Sequence, residues 1–200
     1  MKAMRFVLGT AILTAMVMPA AFAQSTSTTT PPTVQQRKTD QQDRIANGVQ
    51  DGQLTAGETK NIENKEAGIN AEEKTMRADD NGHLTTADRT KLNNQQNRLS
   101  NNIYNDKHNA NTAHYGNNEA GQRRENQQDR IANGIRSGQL NARETSNLEG
   151  KERGINHEVA ADRSANGGKL TNGEKAAVNR QQNRVSNRIY NKKHNAARRG

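Results

Sequence analysis

The chain contains two copies of one sequence unit, and this internal repeat constrains its fold more than any other feature. Residues 41–110 align with residues 127–196 at a constant offset of 86, and 40 of the 70 aligned positions are identical. The identical blocks lie at both ends of the unit, for example at residues 41–48 and 127–134. A repeat of this clarity predicts two copies of one structural unit.

The first 23 residues have the pattern of a secretory signal peptide. Lys2 and Arg5 form a basic start, residues 6–18 are apolar, and an Ala-Phe-Ala sequence that ends at Ala23 suits cleavage. No second apolar stretch follows, and the chain has no cysteine for a lipid anchor or a disulfide. We therefore expect a periplasmic or secreted protein that is not an integral membrane protein. Its mature chain would begin with a disordered Ser/Thr/Pro linker at residues 24–34.

Large apolar side chains are scarce in the rest of the chain. Beyond residue 23 there are 21 Ile, Leu, Val and Met residues, three Tyr, and neither Phe nor Trp. Burial of one large aliphatic side chain stabilises a fold by ~1.5–3 kcal/mol, whereas ordering each residue of backbone costs ~1–2 kcal/mol. We therefore expect a thin core that depends on helix propensity, on capping and on packing between repeats.

One short motif predicts amphipathic helices. The pattern Gln-Gln-x-Arg-Φ-x-Asn-x-Φ, with Φ an aliphatic residue, occurs four times, and a spacing of four places both aliphatic residues on one helix face. The aliphatic pairs are Ile45/Val49, Leu99/Ile103, Ile131/Ile135 and Val185/Ile189. The arginines of the motif, which we expect to anchor helix packing through Glu or Asp partners, are Arg44, Arg98, Arg130 and Arg184.

A second motif, Gly-x-Leu-(Thr/Asn)-x-x-(Glu/Asp), predicts helix starts. Its Thr or Asn can cap a helix while the acid three residues later closes a capping box, and its Gly can end the preceding helix. The motif occurs at residues 52–58, 82–88, 138–144 and 168–174. It predicts helices over about 35–50, 56–78, 86–107, 122–136, 142–163 and 172–196.

These helices define an all-α fold. We predict two homologous three-helix units, built as helical hairpins with capping-box turns, at residues 35–110 and 122–200, joined by a polar linker at residues 111–121. The narrow aliphatic stripes fit either a slim antiparallel unit or a seam that needs a partner chain. Self-association is therefore a second expectation.

Positive charge is concentrated in the second copy. Residues 34–110 contain 11 Lys and Arg against 12 Asp and Glu, whereas residues 111–200 contain 17 against 9. We call the cations that end the chain the basic ridge: Arg180, Arg184, Arg188, Lys192, Lys193, Arg198 and Arg199. The first four recur every fourth residue, where the first copy has Asn94, Arg98, Asn102 and Asp106. Such a ridge can contact the phosphates of a polyanion, although a solvated helix face has the same pattern.

The second motif also resembles the back half of an EF-hand calcium loop, with Gly sixth, an aliphatic residue eighth and Glu twelfth. A calcium loop needs oxygen donors at its first, third and fifth positions as well, and no copy of the motif has all three. A capping box accounts for the same Thr and Glu without a metal. Weak Ca²⁺ binding remains the alternative, and its candidate ligands are Asp51, Glu58, Asp79, Asn81 and Asp88.

Other chemistry finds little support in the sequence. His108 and His194 are repeat equivalents that could bind a transition metal together, but each follows a Tyr by four residues, which predicts a simple Tyr–His stack. There is no cysteine, no Gly-x-Ser-x-Gly, no phosphate-binding loop and no pair of acids in an apolar sequence context. We therefore expect a protein that is not an enzyme.

The motifs together carry one resemblance. Gly-Gln-Leu-Thr at residue 52, Gly-His-Leu-Thr at residue 82 and Ile-Tyr-Asn-Asp-Lys-His-Asn at residue 103 resemble a group of uncharacterised exported bacterial helical-repeat proteins. The resemblance covers both copies and implies a helical build and an exported location, without an activity. The leading functional prediction is a non-catalytic, exported structural or macromolecule-binding module, whose partner is an unknown protein or an envelope polyanion.

Overall fold

The computed structural model describes residues 31–197 as six α-helices, and this part of the chain has no β-strand. The helices are α1 (Val34–Gln50), α2 (Ala56–Asp79), α3 (Thr86–Lys107), α4 (Glu119–Arg136), α5 (Ala142–Ala165) and α6 (Asn172–Lys193). Each copy of the repeat contributes three of them. The predicted all-α fold is confirmed. The predicted signal peptide and most of the linker after it lie outside the described residues.

The helix starts are where the capping motif predicts them. Thr55 accepts a hydrogen bond from the backbone N–H of Glu58, and the Glu58 carboxylate accepts one from the backbone N–H of Thr55 at 2.9 Å. Equivalent boxes begin α3, α5 and α6, and Thr33 with Gln36 begins α1 in the same way. Only α4 departs from the prediction. It begins at Glu119 rather than residue 122, because the Asn118 side chain caps it through the N–H of Gly121.

The turn before each middle helix is fixed by two glycines and a leucine. Gly52 has φ +67°, a conformation that favours glycine, and it ends α1. Leu54 then folds back onto Gly48 in the last turn of α1, and its side chain is fully buried. Leu140 meets Gly134 in the same way in the second copy. The Leu of the motif is therefore a core residue, and it determines where the next helix begins.

The two copies pack against each other through their middle helices. Ser146 of α5 donates a 2.6 Å hydrogen bond to Asn64 of α2, and Gly150 lies against the side chain of Lys60. Residue numbers in α5 rise as those in α2 fall, so the two helices run antiparallel. The extensive α1–α4 packing adds to this contact, and at its end Arg136 donates hydrogen bonds to Asn47 and Gln50 at 2.8 and 2.7 Å.

This packing gives one core that runs through both copies. Nineteen of the 21 large aliphatic residues are buried in it, and the other two, Met76 and Leu170, are half-buried against it. The α2–α5 and α1–α4 contacts join the two copies across this core. These contacts lie within one chain and do not test self-association, which stays a prediction. None of the helices in residues 31–197 has the length and apolar character needed to cross a bilayer.

The close packing at the glycine–leucine turn predicts opposite effects for two Gly-to-Ala substitutions. A Cβ at Gly134 would lie 2.6 Å from Leu140 Cδ1, so Gly134→Ala should lower the free energy of unfolding by ~1–3 kcal/mol. Gly68 is exposed within α2 and has no atom within 4 Å of the added Cβ. Gly68→Ala should raise the free energy of unfolding by ~0.4–1 kcal/mol. Urea denaturation measures both, and a stabilised Gly134→Ala variant would contradict this packing.

Candidate functional site

The exposed face of α6 holds the central part of the basic ridge. Arg180, Arg184 and Arg188 are all exposed, and none of them makes an ion pair or a side-chain hydrogen bond within residues 31–197. Since they lie four residues apart on one helix, their guanidinium groups project from the same side. The structure thus brings together three of the seven predicted residues as unpaired cations.

The remaining ridge residues are different. The Lys192 ammonium lies 3.4 Å from the buried Glu144 carboxylate, so this residue joins α6 to the start of α5. The Lys193 stem packs over Gly134, and burial, with a smaller effect from Arg130, lowers the pKa of Lys193. Both lysines therefore contribute to packing within the second copy. Arg198 and Arg199 lie outside the described residues.

A groove between α5 and α6 extends the cationic face. It has a volume of about 320 Å³ and is lined by Lys151 and Gly154 from α5 together with Arg184 and Arg188 from α6. Its one acid, Glu158, accepts a 2.6 Å hydrogen bond from Gln181. Three cations therefore meet at a concave surface, where an extended anion can contact more than one of them.

The candidate calcium ligands lie in the interhelical turns and the helix starts that follow them. Glu58 is held by its capping box and by the amides of Asn109 and Asn111, at 2.8 and 3.1 Å. Partial burial by itself raises the pKa of Glu58, but the hydrogen bonds from Asn109, Thr55 and Asn111 lower it overall. Asp51 follows α1 directly and caps its end.

The second candidate loop follows the same plan. Asp88 closes the capping box of α3, where hydrogen bonds from Thr85 lower the pKa of its carboxyl group. Asp79 is the last residue of α2, and Asn81 has φ +52° in the turn that follows. Among residues 31–197, no group of three or more His, Cys, Asp or Glu side chains is arranged to hold a metal ion. Calcium binding stays a prediction.

The Tyr–His motif at the end of each copy has a structural role. The rings of Tyr104 and His108 stack with centroids 4.2 Å apart, and Tyr190 and His194 do the same. Each imidazole Nδ1 lies 2.7 Å from the carbonyl oxygen of its Tyr, at the end of the helix. The predicted stacks are thus confirmed, and they end α3 and α6.

The two arginines of the Gln-Gln-x-Arg motif in α1 and α4 do not have the acidic partners that the sequence suggested. Arg44 donates to the hydroxyl and the carbonyl oxygen of Ser100, and Arg130 does the same with Ser186. That expectation is wrong because α3 and α6 present a Ser and a backbone carbonyl to these guanidinium groups. Arg98 and Arg184, the other two, are exposed.

A cluster of buried acids lies at the contact between α2 and α5, and the sequence analysis missed it. Glu63, Glu66, Glu149 and Glu152 are each at most 1 % exposed. Their identical spacing in both copies, Glu-x-Lys-Glu beside an aliphatic stripe, was the signal that could have revealed them. Gln128 donates to Glu149 at 3.1 Å, and Gln42 donates equally to Glu63.

The part of this cluster in the second copy contains more acceptors than donors. Glu149 Oε1, Glu152 Oε1, Gln128 Oε1 and Asn156 Oδ1 are buried without a hydrogen-bond partner among residues 31–197, and all four are oxygens. A protonated carboxyl group supplies a donor hydrogen to such a site. Burial raises the pKa of Glu152 to about 7, although Arg124 opposes the shift. Burial also raises the pKa of Glu149, despite the Gln128 hydrogen bond.

The linker between the copies lies beside these acids. Residues 112–115 line one side of a cleft of about 270 Å³, and Glu152, Gln128 and Asn156 line the other. Arg124 lies 5.5 Å from the centroid of the Tyr115 ring. Burial, with a contribution from Glu149, raises the pKa of Tyr115, so its hydroxyl stays protonated. A carboxyl group with a pKa near 7 can give or take a proton here at neutral pH.

Comparison with known protein families, with curated proteins and with solved structures finds no match to this chain.

The buried acids predict how stability depends on pH. The unfolded chain releases these protons near pH 4.5, whereas folded Glu152 holds its proton up to about pH 7. Stability from this group is complete below pH 4.5 and is lost as the pH rises through 7. The free energy of unfolding should therefore fall between pH 5 and pH 8, by on the order of 2 kcal/mol.

Two variants isolate this effect. Glu152→Gln keeps the shape of the side chain but cannot ionise, so it should flatten the pH dependence and be more stable than the parent at pH 8. Glu125→Gln makes the same charge change at an exposed position of α4 and serves as the control. Urea denaturation at several pH values measures all three proteins. Stability that rises from pH 5 to pH 8 in the parent would contradict the buried-acid interpretation.

Proposed function

We propose that this chain is a non-catalytic, exported helical repeat protein that binds an anionic macromolecule through the basic face of α6. The observation that carries the proposal is the set of three exposed, unpaired arginines, Arg180, Arg184 and Arg188. Cations at a regular spacing on a rigid helix bind phosphate or sulfate groups of a polyanion and release its counterions. The export pattern of residues 1–23 makes an envelope polyanion the expected partner.

The difference between the copies supports a specific role for this face. At the positions that match Arg180 and Arg188, the first copy has Asn94, which is exposed, and Asn102, which is half-buried. The arginines of α6 and the matching asparagines of α3 should give the same fold stability, because none of these side chains is part of the core. The charge on α6 is therefore an addition to the repeat, and binding to an anion is a reason to keep it.

A triple variant tests the proposal with heparin as the probe. Arg180→Gln, Arg184→Gln and Arg188→Gln together remove three charges and keep helix propensity, so folding should survive. Heparin affinity should fall at least tenfold. The slope of log K against log salt should become shallower by about 2–3, since each phosphate-type contact contributes ~0.7–0.9.

A matched control comes from the first copy. Lys74→Gln, Arg89→Gln and Arg98→Gln remove three exposed cations and the same net charge. This variant should keep nearly all of the heparin affinity if the α6 face is the site. Equal affinity of both triple variants would contradict the proposal and leave net charge as the cause of binding.

Lys192 provides a further prediction within the ridge. Because Glu144 already neutralises Lys192, Lys192→Gln should weaken heparin binding less than Arg188→Gln does. Isothermal titration at one fixed salt concentration compares the two single variants. The opposite order would show that the exposed arginines are not the main contacts.

A further inference from the structure

A cavity at one end of the second copy is a feature of this fold that the proposed function does not use. It has a volume of about 490 Å³ and lies where the start of α4, the end of α5 and the start of α6 meet. Its apolar lining comes from Ala120, Leu170 and Val178. Cavities of roughly 300–1,000 Å³ with an apolar lining and a few polar groups are typical of small-molecule sites.

Smaller side chains open this space in the second copy. The first copy has Val34 where the second has Ala120, and Leu92 where the second has Val178. Val34 and Leu92 are both buried in the core of their copy, whereas Leu170 remains half-exposed at the cavity. The backbones of the two copies follow the same plan. The smaller side chains of Ala120 and Val178 therefore leave empty a volume that Val34 and Leu92 fill in the first copy.

One cation at the cavity, Arg163, lacks the acidic partner that its equivalent has in the first copy. In the first copy Arg77 donates two hydrogen bonds to Glu73, at 2.9 and 2.8 Å. The residue that matches Glu73 is Val159, so the equivalent arginine, Arg163, has no carboxylate at that position. Arg163 lines the cavity and makes no side-chain hydrogen bond or ion pair within residues 31–197.

The charges around the cavity favour an anion. Lys169 and Lys175 line it together with Arg163, and Glu119 is the one acid among the lining residues. In the first copy the position of Lys169 is occupied by His83. Three cations against one carboxylate attract a negatively charged head group, and the apolar lining favours a hydrocarbon tail.

We infer that this cavity binds a small amphipathic carboxylate, with its hydrocarbon tail against Ala120, Leu170 and Val178 and its carboxylate at Arg163. An arginine can donate two N–H groups to a carboxylate, and in the first copy Arg77 donates its Nε–H and an Nη2–H to one carboxylate oxygen of Glu73, Oε1. The ligand thus takes the place of the acid that the second copy lacks. This site is separate from the arginines of the α6 face.

Titration calorimetry with decanoate tests the inference on the full mature chain. Decanoate should bind saturably with one site per chain. The double variant Ala120→Val and Val178→Leu restores the residues of the first copy, so it should fold and keep or raise the melting temperature. It should also lower decanoate affinity at least tenfold, because it fills the cavity.

The charge requirement has its own test. Arg163→Gln should weaken decanoate binding about tenfold and leave the binding of decanol, which has the same tail without the charge, nearly unchanged. Lys74→Gln, an exposed cation of the first copy, is the control and should bind decanoate like the parent. The absence of saturable decanoate binding would overturn the inference. Decanoate binding that is unchanged in the cavity-filling variant would also overturn it. Heparin affinity, which reports on the α6 face, is measured separately.

Discussion

The antiparallel packing of α2 against α5 is the contact on which the rest of the structure depends. The aliphatic side chains of both copies form one buried cluster, and the α2–α5 contact, together with the packing of α1 on α4, joins the two halves of it. The same contact buries four glutamates at the centre of the molecule. Glutamine side chains donate to two of them, Glu63 and Glu149, and burial raises the pKa of Glu149 and of Glu152, which favours the neutral form of both carboxyl groups.

Duplication has left two copies with one backbone plan and different surfaces. The capping boxes, the glycine–leucine turns and the Tyr–His helix ends are shared, and each of them has a structural role. The differences include the exposed arginines of α6 and the residues around Arg163. A shared framework thus carries two different surfaces.

Local signals predicted nearly all of the secondary structure. The capping motif contains both the capping residue and the acid that closes its capping box within four residues. Helix starts such as Thr55 could therefore be located without tertiary information. The start of α4 was missed because Asn118 caps it without a capping box. The α2–α5 contact could not be derived, since it depends on which face of one copy meets the other. Likewise, the pairing of Lys192 with Glu144 joins residues from two helices, and spacing along α6 does not reveal it.

Native-state hydrogen exchange tests most directly whether the two copies form one interdependent fold. Amide protons in the middle of α2 and of α5 should exchange only through global unfolding, with equal opening free energies that match the value from urea denaturation. Both values should fall together in the Gly134→Ala variant, although that substitution lies in the second copy alone. Opening free energies that differ between α2 and α5, or a loss of protection confined to the second copy, would show that each copy folds independently and would contradict this account.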